Sequence, residues 1–197
     1  MTYVAARTEG APGAPLLFTF HGTGGTEAQL HQLGQDLVRG AHVVSPRGDV
    51  SENGALRFFK RTAEGVYDMD DLAERTAAMA EFIAAERKAV NAPSVIGLGY
   101  SNGANILANV GLTRPELVDD MILLHPLIPF DLDPQPGLDG RRILITAGEK
   151  DPICPADMTR SFSDYLQRQG AFVSEHWHEG GHELQQSELD AIVRFIS

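Results

Sequence analysis

Gly99-Tyr100-Ser101-Asn102-Gly103 is a G-x-S-x-G pentapeptide placed where an extended run gives way to a helical one. Ahead of it stand Pro93-Ser94-Val95-Ile96-Gly97-Leu98, short, apolar and partly β-branched. Behind it stand Ala104-Asn105-Ile106-Leu107-Ala108-Asn109-Val110, with apolar residues at helical spacing. A serine at such a junction is pushed out of the sheet with its Oγ exposed, and the flanking glycines permit the crowded backbone. The helix N-terminus behind it offers unpaired N–H groups to a developing oxyanion. The pentapeptide becomes a reactive site only if partners follow it in the right order.

Working outward, Leu16-Leu17-Phe18-Thr19-Phe20 reads as a buried strand that stops at His21-Gly22-Thr23-Gly24-Gly25. Thr26 then opens a helix over 27–39, and His42-Val43-Val44-Ser45 is a second strand. Residues 46–67 read as a long irregular loop, and loops of that length in compact domains usually carry function. Residues 70–90 carry a helical apolar stripe that includes Leu72, Thr76, Met79 and Ile83. Met121-Ile122-Leu123-Leu124, Arg142-Ile143-Leu144-Ile145-Thr146-Ala147 and Phe172-Val173-Ser174-Glu175-His176-Trp177 are further strands. A Pro-rich loop over 126–140 follows the first of these, and helices over 155–169 and 184–196 follow the other two. Alternating strands and helices, with strands that are almost continuous apolar runs, predict a mainly parallel sheet with helices on both faces. Chemistry then gathers at the carboxyl ends of the strands.

At those ends the residue types needed for nucleophilic catalysis recur. The Thr23 N–H in the Gly-rich turn and the Asn102 N–H form a candidate pair of oxyanion donors. That turn matches neither G-x-G-x-x-G nor the P-loop, so no nucleotide cofactor is expected. After Ala147 comes Gly148-Glu149-Lys150-Asp151-Pro152-Ile153-Cys154-Pro155, where Asp151 is the candidate for orienting a histidine and Glu149 the minor alternative. After Trp177 comes His178-Glu179-Gly180-Gly181-His182, where His182 is the candidate base on a flexible turn and His178 its competitor. Asp151 alone would read as a turn or cap residue, and a lone histidine as structural. His176, His178 and His182 also form an H-x-H-x3-H cluster that could hold a divalent metal, but no accompanying metal motif appears and no metal is expected. His21 and His125 read as loop-holding residues, and Cys154 as a small buried one.

The chain has 197 residues, a length that predicts a single domain over 1–197. Its formal net charge of −11 argues against nucleic acid or an anionic membrane as partner. One cysteine excludes an intrachain disulfide. Met1-Thr2-Tyr3-Val4-Ala5-Ala6-Arg7 shows no basic segment leading into an apolar one, and no run approaches the ~20 apolar residues of a membrane span. The expectation is a cytoplasmic protein that does not insert into membranes. An apolar helix face could serve a homodimer.

These residues resemble the α/β-hydrolase superfamily, in its small phospholipase/carboxylesterase family. The resemblance runs over 15–196 and is carried by His21-Gly22-Thr23-Gly24-Gly25, Arg47-Gly48, Gly99 to Asn105, Asp151 to Pro155 and Gly180-Gly181-His182. The order Ser…Asp…His, each after a separate strand, is that of the superfamily. Asn53-Gly54, Arg57-Phe58-Phe59 and Ala63-Glu64-Gly65-Val66-Tyr67-Asp68 are similar to bacterial carboxylesterases linked to hydroquinone and quinone stress. Asn102 departs from the broader family, where Gln is common; the backbone donor is kept and the polar wall beside it changes. The resemblance implies an α/β-hydrolase fold and a serine carboxylesterase acting on small carboxylic esters, with thioesters and aryl esters chemically close. It implies Ser101, Asp151 and His182 as catalytic residues and no cofactor. It also implies a 46–67 loop that shapes the pocket through Phe58 and Phe59, with Ile153 near the acyl side. The alternatives are a small-ligand binding protein on a hydrolase scaffold and a metal-dependent hydrolase using His176, His178 and His182.

Overall fold

A computed structural model describes residues 3–197, so Met1 and Thr2 of the N-terminal stretch read above lie outside it. Six strands share one direction: β2 (Leu16–Phe20), β3 (His42–Pro46), β8 (Val95–Tyr100), β9 (Asp120–Leu124), β10 (Arg142–Gly148) and β11 (Phe172–His178). A seventh, β1 (Ala5–Thr8), pairs antiparallel with β3, giving the order β1-β3-β2-β8-β9-β10-β11. β1 is too short and too exposed to show as an apolar run.

The strands look uniformly apolar, yet pleating sorts them. Phe18, Phe20, Val95, Met121, Leu123, Ile143 and Ile145 point into one cluster, with α2 (Met69–Val90), α3 (Asn102–Thr113) and α4 (Ala156–Arg168). Leu17, Val43, Leu98, Ile122, Leu124 and Leu144 point into the other, under α1 (His31–Leu37) and α5 (Gln186–Ile196). The chain runs outward from β2 to β3, returns to β8, then proceeds the opposite way. The switch point therefore lies between β2 and β8, and their carboxyl ends flank a crevice.

Two elements differ from expectation. The helix expected over 27–39 begins only at His31, because residues 26–30 are held by other partners. Thr26 Oγ accepts locally from the Ala28 N–H (3.3 Å), Glu27 pairs with Arg47 (2.5 Å), and Gln29 Oε1 accepts from the Gly22 N–H (2.8 Å). Most of 46–67, expected as irregular loop, forms two hairpins. β4 (Val50–Glu52) and β5 (Ala55–Arg57) join through Asn53-Gly54, both at positive φ (52° and 90°). β6 (Arg61–Ala63) and β7 (Val66–Tyr67) join through Glu64-Gly65. Asn-Gly is the strongest short-range hairpin signal, and it was present in the sequence. No helix among the described residues is long and apolar enough to cross a membrane.

Candidate active site

Ser101 stands between β8 and α3 at φ 53°, ψ −118°, a conformation that L-residues rarely adopt. Its N–H donates to the Leu124 carbonyl (2.8 Å) and its carbonyl accepts from Asn105 (3.0 Å), so both neighbouring elements hold the turn. The flanking glycines allow close approach. A Cβ on Gly103 would lie 2.2 Å from the Phe20 carbonyl oxygen, and one on Gly99 2.5 Å from that of Gly103. Strand, turn and helix therefore press together, and Ser101 Oγ emerges at the sheet end.

Asp151 follows β10 and His182 lies between β11 and α5. Ser101 Oγ is 2.9 Å from His182 Nε2, and His182 Nδ1 is 2.7 Å from Asp151 Oδ2. Asp151 Oδ1 accepts from the N–H groups of Ile153 (2.8 Å) and Cys154 (2.9 Å). Burial pushes the Asp151 carboxyl up, but donation from Cys154, His125, His182 and Ile153 outweighs it, and the net shift is down. Tyr100 donates its hydroxyl to the His182 carbonyl (2.8 Å), tying the histidine turn to β8. Its phenol, desolvated and near Asp151, is pushed up to about 12.

The other candidates separate cleanly. Glu149 is exposed and paired with Arg160 (3.0 Å). His178 takes the Gly180 N–H on Nδ1 (3.1 Å) and turns Nε2 toward Glu188 (3.4 Å). His176 bonds Ser187 (3.0 Å), so His176, His178 and His182 do not converge as a ligand trio. Among the described residues the groups close enough for shared ligation are instead His125–Asp151–His182 and His125–His178–Glu188. His21 holds loops, as expected of it: Nε2 accepts from the Gly48 N–H (2.9 Å) and Nδ1 reaches the Gly22 carbonyl (2.7 Å). Burial pushes the Cys154 thiol up, against activation as a nucleophile.

A cleft of about 300 Å³ opens over Ser101 and His182, lined by Thr23, Asn102 and Ile153 among others. Phe58 and Phe59, expected to wall it, do not: both are completely buried. Phe58 packs on Phe20 and His21 (5.7 and 4.6 Å between ring centres), and its N–H donates to Asn102 Oδ1 (2.8 Å). Phe59 packs on Tyr67 (4.8 Å). They stand one layer behind the wall, which their neighbours Arg57, Arg61, Glu64 and Tyr67 supply. A polar wall residue in a hairpin strand of two or three residues has no periodic signature in the sequence.

His125, expected to hold a loop, reaches the site itself. Its Nδ1 lies 2.9 Å from Asp151 Oδ2, the oxygen that His182 uses, and its Nε2 lies 3.0 Å from Glu188 Oε1. Glu188 is a wholly buried carboxylate of α5 that no motif announced.

No protein-family model matches the chain. MhqD of Bacillus subtilis (strain 168), named provisionally as a hydrolase, is 41% identical over 177 residues, 89% of this chain and 88% of that one. Among solved structures, Atu2452 of Agrobacterium tumefaciens str. C58, a protein of unknown function, matches with TM-score 0.93 and 51% identity, over 98% of this chain and 95% of that one. The Bacillus cereus carboxylesterase matches with TM-score 0.91 and 34% identity, over 98% and 93% of the two chains. The sheet order, the strand-end geometry and these likenesses lead to one assignment: the chain belongs to the α/β-hydrolase superfamily, in the carboxylesterase family it shares with MhqD and the Bacillus cereus enzyme.

Proposed function

We propose that this protein is a serine carboxylesterase that cleaves small carboxylic esters through an acyl-enzyme on Ser101. The observation that carries the reading is the unbroken chain Ser101 Oγ–His182 Nε2–Asp151 Oδ2, with steps of 2.9 and 2.7 Å, at the floor of an open cleft. With Asp151 ionised, His182 Nδ1 donates to it and Nε2 presents a lone pair to the serine hydroxyl. His182 takes the Ser101 proton as Oγ attacks the ester carbonyl carbon. The carbonyl π pair moves to oxygen, where the Thr23 and Asn102 N–H groups receive it. Collapse breaks the bond to the alcohol oxygen, which leaves with the proton from His182. Water repeats the sequence on the acyl-enzyme and releases the acid.

The cleft volume of about 300 Å³ lies at the low end for small-molecule sites, which favours short acyl groups. Aryl esters and thioesters meet the same geometry, since their better leaving groups ask less of His182.

A panel of p-nitrophenyl esters of graded chain length, with aryl esters and thioesters, tests the proposal against Ser101→Ala. We expect activity on the shorter esters and a loss of about 10³-fold or more in kcat for the variant, with the fold intact. A fluorophosphonate probe should label Ser101 and nothing else. Full esterase activity in Ser101→Ala would falsify the assignment, and an unlabelled, inactive wild type would turn the reading toward ligand binding.

A further inference from the structure

His125 has no free ring nitrogen. Nδ1 faces Asp151 Oδ2 at 2.9 Å and Nε2 faces Glu188 Oε1 at 3.0 Å, with all three side chains fully buried. A neutral imidazole has one donor and one acceptor, whereas two carboxylates ask for two donors. The remaining neighbours of Glu188 also donate: the Thr146 hydroxyl (2.6 Å) to Oε1 and the Gln185 N–H (2.7 Å) to Oε2. His178 adds no donor here: its Nδ1 accepts from Gly180, and its Nε2, 3.4 Å from Glu188 Oε2, makes no hydrogen bond. Glu188 is moreover the third residue of α5, in a capping box with Gln185, where the helix N-terminus favours negative charge.

The backbone fixes where that ring stands. His125 sits at φ 52°, a left-handed conformation that a non-glycine residue keeps only where its surroundings impose it. Here its N–H donates to the Thr146 carbonyl (2.9 Å) and its carbonyl receives the Cys154 thiol (3.2 Å). The strained turn at the end of β9 aims the ring between the two carboxylates.

We infer that His125 is a standing imidazolium, clamped between Asp151 and Glu188, and that it acts as a positioning residue for the catalytic triad. This rests on the Ser101–His182–Asp151 reading above. The clamp fixes Asp151 Oδ2 and, through it, the plane of His182. It also sets a positive charge near the base, the two rings being 5.1 Å apart, which disfavours premature protonation of His182. The other groups facing His125 are His178 on β11 (5.4 Å) and Tyr100 on β8 (6.0 Å), besides the Cys154 thiol at its carbonyl. Burial pushes both the Tyr100 phenol and the Cys154 thiol up, so neither adds a charge at neutral pH. Burial lowers the proton affinity of His125 itself, but its bonds to Glu188 and Asp151 raise it further, and the net direction is up.

Two variants and one spectrum test this. Glu188→Gln removes the distal anion, and His125→Asn keeps a residue type that tolerates positive φ while removing the charge. Each should move the acid limb of the kcat/KM profile to higher pH by about 0.5–1 unit, His125→Asn by removing the cation and Glu188→Gln by releasing the His125 proton that the distal anion held, and lower plateau kcat by about tenfold, with KM within about twofold. The double variant should move the limb no further than either alone, since both break one unit. Ring ¹⁵N NMR of histidine-labelled wild type should show one histidine that keeps both ring protons above the ordinary imidazole value of about 6.5, its signals absent from His125→Asn. A purely structural role lowers the plateau without moving the limb, and that result overturns the proposal. So does a His125 ring that loses its second proton at or below the ordinary imidazole value of about 6.5. The NMR reading needs no turnover, so it stands apart from any failure of the esterase assignment, which an active Ser101→Ala would reveal.

Discussion

Asp151 has both carboxylate oxygens shared: two histidines meet at Oδ2 and two backbone N–H groups at Oδ1. Four donors hold it ionised, and an ionised partner keeps His182 in the tautomer that can accept from Ser101. Asp151→Asn keeps the volume but presents an amide that can donate toward His182 Nδ1, favouring the wrong tautomer. We expect kcat to fall by about 10³–10⁴-fold with KM little changed, as steady-state kinetics on a short p-nitrophenyl ester would show. A loss under about tenfold would mean that the carboxylate does not set the tautomer. Cys154 gives a contrasting case. Beside the same carboxylate, its buried thiol is held protonated, so proximity to the triad does not make it reactive.

The turn from β8 into α3 shows what an element costs when it must approach its neighbours this closely. Gly103 has backbone on the side where a Cβ would go, with Phe20 and His21 carbonyl oxygens 2.2 and 2.5 Å from that position. Gly103→Ala should therefore lower unfolding stability by roughly 2–4 kcal/mol, read by urea denaturation, because backbone cannot rotate away as a side chain can. A change under about 0.5 kcal/mol would show that α3 can slide off the sheet at little cost. Long apolar strands and G-x-S-x-G were legible in the sequence because buried parallel strands leave uninterrupted hydrophobic runs and sharp turns demand glycine. β1 and the strands of the 46–67 hairpins were not, since two to four half-exposed residues carry too little periodicity, and only the Asn53-Gly54 turn marks the first hairpin. Phe58 and Phe59 misled for a related reason: an aromatic pair signals burial, and nothing in sequence says whether that burial is behind a cleft or within it. Glu188 was invisible because a lone acid in a helical first turn is ordinary, and only the fold brings His125 to it.

Across the molecule, the buried charges tie stability to pH in both directions. Burial raises the Glu188 and Asp151 carboxyls, but their donors outweigh it, and both are held below the usual range. Their contribution is present above about pH 4 and is lost as pH falls through the depressed folded values. The His125 shift runs upward, so its contribution is complete below about pH 6.5 and fades as pH rises through the elevated folded value. The stability difference between wild type and His125→Asn should thus be largest near pH 5–6 and shrink on the alkaline side, by urea titration at several pH values. A difference that grows with pH would contradict the sign of the shift. The separation between the strand ends and the hairpins has a different consequence. Ser101, Asp151 and His182 each follow a strand of the main sheet, whereas Arg57, Arg61, Glu64 and Tyr67 come from the hairpin segment inserted between β3 and α2. The segment is anchored by its buried residues: Phe58 and Phe59 are fully buried, the Phe58 N–H donates to Asn102 and the Tyr67 hydroxyl accepts from Asn105, so its hairpin turns at Asn53-Gly54 and Glu64-Gly65 are the parts free to vary. Hairpin turns of other length and charge at those two places would retune which acids and alcohols are admitted, while the proposed Ser101–His182–Asp151 apparatus stays as it was.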